Sequence, residues 1–328
     1  MQLVKGNMKK SLFEPRSYYK PFEFPKAYEL YEQHEKMHWL PDEVPLHQDI
    51  LDWKTKLTES EKNFLTQIFR LFTQSDVDVA GAYANKYIPL FPKPEIRMML
   101  LSFAAREAIH IQAYSHLIDT LGMPETTYKQ FMEYEAMREK HDFLETLMGT
   151  NERQIVQQIA AFSAFTEGMQ LFSSFIMLLN FTRFNKMNGM GQIIAWSIKD
   201  ESVHVEGMTW LFREFLREHR DIWTDELKSQ LYKIAEKMVE LEDKFIDLAF
   251  ESGAVEGLTI AEVKQYIRYI ADRRLIGLGM KGIFKVKNNP LPWVEEILNA
   301  PEHANFFEQR ATAYAKGALT GSFSNIWK

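Results

Sequence analysis

From residue 58 to residue 281 the chain is written almost entirely in long runs of helical period, and this pattern constrains its fold more than any other feature. Apolar residues recur at offsets of three and four over about 58–87, 95–121, 125–147, 151–184, 191–219, 224–252 and 259–281, with almost no strand-like alternation. The breaks between runs are short: "PLFPKP" (89–94), "GMP" (122–124), "GTN" (149–151), "NKMNGMG" (185–191), "HRDIW" (219–223) and "SGAVEG" (252–257). Helices of about 25–30 residues are long for globular proteins and ordinary in bundles. "TESE" (58–61) has the Thr-x-x-Glu form of a capping box and predicts a helix start. A Gly followed by Pro at 122–124 predicts a stop. No linker interrupts the pattern before about residue 286. The expectation is therefore an all-α bundle in one domain, 1–286. Its opening stretch, 1–56, should be an irregular arm, because Pro15, Pro21, Pro25, Pro41 and Pro45 block long helices. Residues 287–328 should form a C-terminal segment, with a short helical piece after "NNPLPW" (288–293) and a polar tail, "KGALTGSFSNIWK" (316–328).

Composition narrows the function classes. The 328 residues are 46% hydrophobic, which is ample for a core. A net charge of −6 and the lack of a basic run give no reason to expect a nucleic acid or an anionic membrane as partner. With no cysteine, disulfides, thiolate-held metals and thiol nucleophiles are excluded. "MQLVKGNMKKSLF" (1–13) lacks the apolar stretch of a signal peptide, and the most apolar run, "LFSSFIMLLNF" (171–181), is too short to span a bilayer. A soluble cytoplasmic protein is expected.

Within the helical runs, "FAAREAIHIQAYSHL" (103–117) places Glu107, His110 and Tyr114 on one helix face among apolar neighbours. The Glu-x-x-His spacing recurs at Glu201–His204 in "IIAWSIKDESVHVEGM" (193–208), again on an apolar helix. A third copy, Glu35–His38, lies in the Pro-rich arm and reads as a surface coincidence. Each of the two apolar copies follows a helix that carries its own carboxylate. One such helix is "FRLFTQSDVDVAGAY" (69–83), which offers Asp76 and Asp78 ahead of Glu107. The other is "AAFSAFTEGMQLF" (160–172), which offers Glu167 ahead of Glu201. The interval from Asp76 to Glu107 nearly matches that from Glu167 to Glu201. A chain that rises along one helix and returns along the next brings such pairs to similar heights. Asp76 and Asp78 both satisfy this argument; they point about 200° apart, so only one can face inward.

Four carboxylates and two imidazoles converging inside a bundle make a dinuclear metal site. Buried carboxylates cost several kcal/mol each if unpaired, on the order of the penalty for any desolvated ion. Two divalent cations would balance them. Oxygen and imidazole donors without thiolates suit iron or manganese. Two histidines leave positions open for dioxygen or water, and Tyr114, one turn beyond His110, is placed as a radical site. Taken singly, each signal has an ordinary explanation: a solvated helix face, a packed tyrosine, a capping aspartate. The two matched copies together favour the metal site.

At these residues the sequence resembles the radical-generating small subunit (beta, or R2) of class I ribonucleotide reductase. The resemblance covers about residues 35–315 and rests on "SDVDV", "REAIHIQAY", "FTEGMQLF" and "KDESVH", in order and at matching spacing. It implies a ferritin-like bundle and selects Asp76 over Asp78. One metal would take Asp76, Glu107 and His110; the other would take Glu167, Glu201 and His204, with carboxylates bridging. The radical would reside on Tyr114. "MHWLPDEV" (37–44) would make Trp39 the inner electron-transfer residue, and Asp200 would hydrogen-bond toward His110 and orient it. In "NFFEQRATAYAKGAL" (305–319), Tyr314 would relay the radical outward. Leu171 stands where many members carry Phe, with Phe175 remaining as a wall. The tail ends "NIWK" where many family tails are acidic. The stretch ahead of the shared region is short, so no added N-terminal regulatory domain is expected.

The implied function is to generate and store an oxidising equivalent that a separate large (alpha) subunit uses to reduce ribonucleotides to deoxyribonucleotides. The implied partners are a second copy of the chain in a homodimer, the large subunit docked by the C-terminal tail, and a flavoprotein activator if the metal is manganese. The cofactor would be two metal ions per chain, Fe or Mn. Two other functions use similar donors. A dimetal oxygenase or oxidase would need its own substrate pocket beside the metals. An iron-storage protein would assemble as a cage.

Overall fold

The computed structural model describes residues 10–299. Among these residues there is no β-strand, only an isolated bridge between Val255 and Leu258. Contacts divide the chain into two compact units, Met1–Pro290 and Leu291–Lys328. All the elements below belong to the first, except the short helix Pro292–Asn299, which belongs to the second.

The predicted helical runs are present, except that 125–147 is broken into two short turns and the helix Glu135–Thr146. Helix α3 (Glu59–Ala82) starts where "TESE" placed it: Thr58 Oγ1 accepts from the Glu61 N–H, and the Glu61 carboxylate accepts from the Thr58 N–H at 2.9 Å. It continues through a wide π turn, Tyr83–Tyr87, to Leu90. Only residues 91–93 separate it from α4 (Pro94–Thr120), so the chain doubles back and the two helices pack on each other. Helix α4 ends at Gly122, whose φ of +71° is open to glycine without strain. Two short turns and α5 (Glu135–Thr146) lead to α6, which runs from Glu152 to Leu179. Its middle, Ala160–Gln170, is π-wound. Then follow α7 (Asn188–Glu218), α8 (Asp225–Ala249) and α9 (Ile260–Gly277). Helix α7 packs on both α4 and the π segment of α6, which places three site-bearing helices around one core.

The N-terminal arm corrects the sequence expectation. Part of it is regular: among its described residues Pro25–Glu35 forms helix α1 and His47–Thr55 forms α2. Pro25 occupies the first helical position, where its missing N–H would have had no partner anyway, so it starts a helix instead of blocking one. Both helices serve the site. Helix α1 packs along α4. Helix α2 caps α7: Asp49 accepts from the N–H groups of Gly189 (2.9 Å) and Met190 (2.8 Å), and Asp52 accepts from Met187 (3.0 Å). Gly189 permits this approach, since a Cβ there would lie 2.7 Å from Asp49 Oδ2.

The run Glu152–Phe184 is long and apolar enough to cross a membrane by composition, but its most apolar window is entirely buried within the bundle. That burial is the condition of a core helix, hydrophobic all round because every face meets protein.

Candidate metal centre

The five residues singled out by spacing, and Asp76, which the resemblance selects, lie on four helices and point into one interior. Asp76 comes from α3, Glu107 and His110 from α4, Glu167 from the π segment of α6, and Glu201 and His204 from α7; all six are buried. Donor atoms of Glu107, Glu167, Glu201 and His204 lie within 4.8 Å of one another. His204 Nδ1 is 3.1 Å from Glu107 Oε1, 3.2 Å from Glu201 Oε2 and 3.5 Å from Glu167 Oε1. His110 Nδ1 is 3.3 Å from Glu201 Oε1 and 3.5 Å from Glu107 Oε2. Asp76 is buried close enough to feel the charges of Glu107, His110 and Glu201. Asp78 faces elsewhere, paired with His141 at 2.8 Å.

The donor set fits a pair of hard cations. Both oxygens of Glu107, both of Glu201, Oδ2 of Asp76 and both nitrogens of His204 are buried without an aligned hydrogen bond. One imidazole nitrogen facing three carboxylates has too few protons to satisfy them, and so many bare acceptors are costly at an interior site. Cations placed among them would satisfy the carboxylate oxygens and His204 Nδ1 at once. The carboxyls respond in different directions. Burial pushes Asp76 well above the usual carboxylate range, with the charge of Glu107 adding to it. Burial, against the pull of His204, pushes Glu167 up to about 7. At Glu107 burial acts upward too, but the close imidazoles of His110 and His204 outweigh it and hold the group near 2.

On the His110 side, Asp200 joins two partners. Its Oδ2 accepts from Trp39 Nε1 at 2.7 Å and lies 3.1 Å from His110 Nε2. The Trp39 ring lies nearly parallel to His110 at 6.0 Å, and Trp196 lies 5.3 Å beyond it. Burial tends to raise Asp200, but the bond to His110 and the nearby His34 imidazole, 3.6 Å away, hold it well below the usual carboxylate range. Tyr114 sits 6.4 Å from His110 by ring centroids. Its O–H donates to Ser197 Oγ at 2.9 Å, and Ser197 donates to the Ile193 carbonyl at 3.0 Å. Phe72 stacks on Tyr114 at 4.6 Å, and Phe175 lies behind Phe72 at 5.7 Å. Burial pushes the Tyr114 phenol up, so it is a neutral O–H at any ordinary pH.

The His204 side has other neighbours, which the sequence reading missed. Tyr83 donates to Glu167 Oε1 at 2.7 Å, and its ring lies 5.9 Å from His204. It follows Asp76 by two turns along the same helix face, and that offset could have found it. His34 of α1 lies 4.9 Å from His204, edge to face. Nothing in the sequence pattern marked it, because the arm was read as irregular. Phe103 completes this wall at 4.5 Å.

The π winding of α6 places Glu167 here. Wide turns of this kind are rare and cluster at functional sites. Gly168 is needed beside it: Arg274 Nε–H donates to the Gly168 carbonyl at 2.6 Å, and a Cβ on Gly168 would lie 2.7 Å from that nitrogen. Tyr314 and the tail lie outside the described residues. A cavity of about 710 Å³ opens between α3, α5 and α6, lined by Asp78, Lys86, Tyr87, His141, Gln158 and Phe162 among others, and by none of the six candidate ligands.

Comparison with known proteins places the chain in a family. Residues 16–290 match the family model described as ribonucleotide reductase, small chain. The chain is 47% identical to a probable ribonucleoside-diphosphate reductase small subunit of Invertebrate iridescent virus 6, covering 97% of this chain and 99% of that one. It is 30% identical to the ribonucleoside-diphosphate reductase subunit beta of Chlamydia pneumoniae, covering 90% and 88%. Among solved structures, the ribonucleotide reductase R2 subunit of Clostridium botulinum superposes with a TM-score of 0.81 at 21% identity, over 90% of this chain and 98% of that one. The dimanganese(II) NrdF of Streptococcus sanguinis gives 0.75 at 21%, over 87% and 100%. At such identities these structures speak for the ferritin-like bundle alone.

Proposed function

This chain belongs to the ribonucleotide reductase small-chain family, and from that premise we propose how its buried cluster works. The chain is the small subunit of ribonucleoside-diphosphate reductase, an oxidoreductase whose large subunit is its partner. Asp76, Glu107 and His110 would hold one metal ion; Glu167, Glu201 and His204 would hold the other, with carboxylates bridging. The pair is iron or manganese, both of which accept this donor set; one relative in structure is a dimanganese protein. When bound, the metal pair supplies a one-electron oxidant. The protein holds Tyr114 as a neutral phenol with its hydrogen directed to Ser197 Oγ, and Phe72 and Phe175 keep water away from the ring. Asp200 fixes the His110 ring and ties it to Trp39. That link supports a radical route to the large subunit, continued by Tyr314 in the tail that docks there. A homodimer follows the family; exposed Leu101 and Ile111 on α4 offer apolar surface for it. A flavoprotein activator would be needed with manganese, and the cytoplasm is where such a subunit would meet its partner.

The observation that carries this reading is the single oxygen, Asp200 Oδ2, shared by Trp39 and His110. An oxygenase acting within its own pocket has no use for such a link, and the large cavity meets none of the candidate ligands. The test is low-temperature EPR of the protein loaded with Fe(II) in air, beside a Tyr114→Phe variant. A radical signal absent from the variant is expected. Bound metal without a tyrosyl signal would overturn the role of Tyr114.

A further inference from the structure

The π segment of α6 is tied to two neighbouring helices near its C-terminal end. Gln170 Nε2 donates to the Met238 carbonyl of α8 at 3.0 Å. From α9, Arg274 Nε–H donates to the Gly168 carbonyl at 2.6 Å, and its guanidinium stands 5.0 Å from the centre of the Phe172 ring. Among the described residues no carboxylate pairs with Arg274. Its cation is therefore spent on a backbone carbonyl, a charge-assisted bond about twice as strong as a neutral one. The approach is close enough to require glycine, since a Cβ on Gly168 would meet the guanidinium arm. Wide turns are rare in helices, so an outside contact that favours them here bears on the winding. One residue more or less in the winding turns a side chain by about 100°. The direction of Glu167, next to Gly168, thus depends on how many residues the wide turns take up.

We propose that Arg274 is a positioning residue for the half of the site made by Glu167, Glu201 and His204. Its bond to the Gly168 carbonyl keeps Ala160–Gln170 in its π winding, with Glu167 turned to His204 and to the Tyr83 hydroxyl. Arg274 acts through the backbone of α6. It fixes the carboxylate's direction before any metal arrives, so that binding does not have to order the helix as well. The inference rests on Glu167 as a ligand of the second metal and holds for iron and manganese alike.

The test compares Arg274→Met, which keeps the length of the side chain without a donor, with Arg274→Gln, whose amide nitrogen stands where Nε stood. Both remove the charge and the guanidinium plane, so a difference between them reads the hydrogen bond. In full-length, metal-free protein the backbone amides of 160–172 should exchange with solvent about tenfold faster in Arg274→Met, the effect of losing a hydrogen bond to a charged group. In a titration with Mn(II), the step assigned to Glu167, Glu201 and His204 should weaken about tenfold, as for other outer partners of metal ligands, with the other step unchanged. Arg274→Gln should recover most of both losses. Arg268→Met breaks the pair with Asp243 between α8 and α9, at 2.9 and 2.6 Å, and should lower overall stability while moving neither reading. Equal effects in the Met and Gln variants would reduce Arg274 to packing and overturn the proposal. So would unchanged exchange in Arg274→Met, or faster exchange with both metal steps unaltered. Glu167→Gln separates the premise. If that variant binds both metals as the native chain does, the ligand assignment fails, while exchange in the metal-free protein still decides whether Arg274 holds the winding.

Discussion

The two Glu-x-x-His motifs are nearly the same in sequence and differ in what surrounds them. His110 presents its outer nitrogen to Asp200, which also holds Trp39. His204 has no aligned hydrogen bond on either nitrogen and is walled by Phe103, Tyr83 and the edge of His34. On one side a carboxylate joins His110 to Trp39; the other is packed in aromatic side chains, with a phenol on Glu167. A repeated motif thus fixes the donors, while the neighbouring helices decide what each half can do.

The largest effect should come where the halves meet. Glu107 reaches both imidazoles, Oε2 toward His110 and Oε1 toward His204. If the halves are two independent sites, Glu107→Gln should lose one metal. If they share this carboxylate, affinity at both should fall about a hundredfold or more, above what outer partners carry. The shared outcome is expected, read from metal per chain after dialysis at graded free metal. Loss of one ion with the second unchanged would break the description of a coupled pair.

Asp200→Asn sharpens the difference between the halves. The amide keeps the shape and an oxygen that can still accept from both Trp39 Nε1 and His110 Nε2, but it brings no charge to either bond. Metal affinity should fall about tenfold, the lower end of the range for partners of ligating histidines. Turnover with the large subunit should fall about a hundredfold, as expected for a lost charge-assisted link. Equal losses in both would mean that Asp200 only positions His110.

Much of this was legible in the sequence. Seven helical runs, the Thr58 cap and the Gly122 stop follow from period and local chemistry, which act over short stretches of chain. Five of the six buried candidate ligands were legible because two matched spacings seldom coincide, and the sixth came from the family resemblance. Asp76 could not be told from Asp78 by height alone; the structure separates them because Asp78 turns to His141. Helix α1 was missed because proline was read as a breaker where it starts a helix. His34 went with it, since its meaning depends on Ser102 and Asp200, which lie on other helices far along the chain. The π winding around Glu167 carries no period of its own and was read as ordinary helix.

On the His204 side, Tyr83→Phe removes one hydrogen bond to Glu167 and little else. The loss should be about 1 kcal/mol, or roughly five- to tenfold in affinity for the second metal, with the first unchanged. A metal titration that resolves two steps would show it. A change in the step assigned to Asp76, Glu107 and His110 instead would reverse the assignment of the halves.

The smallest effect on the metals belongs to the Tyr114 pocket. Ser197 holds the phenol hydrogen at 2.9 Å and passes its own to the Ile193 carbonyl. Ser197→Ala leaves Tyr114 stacked on Phe72, so the ring should stay in place. The buried O–H loses its acceptor, at about 1–3 kcal/mol of stability, measured by chemical denaturation. Metal content should be unchanged, since Ser197 approaches neither half. The tyrosyl EPR line should alter in shape, because its g anisotropy responds to a hydrogen bond at the phenoxyl oxygen. An unaltered line would mean that Ser197 no longer touches that oxygen once the radical forms, and that the His110 half rearranges on oxidation while the His204 half need not.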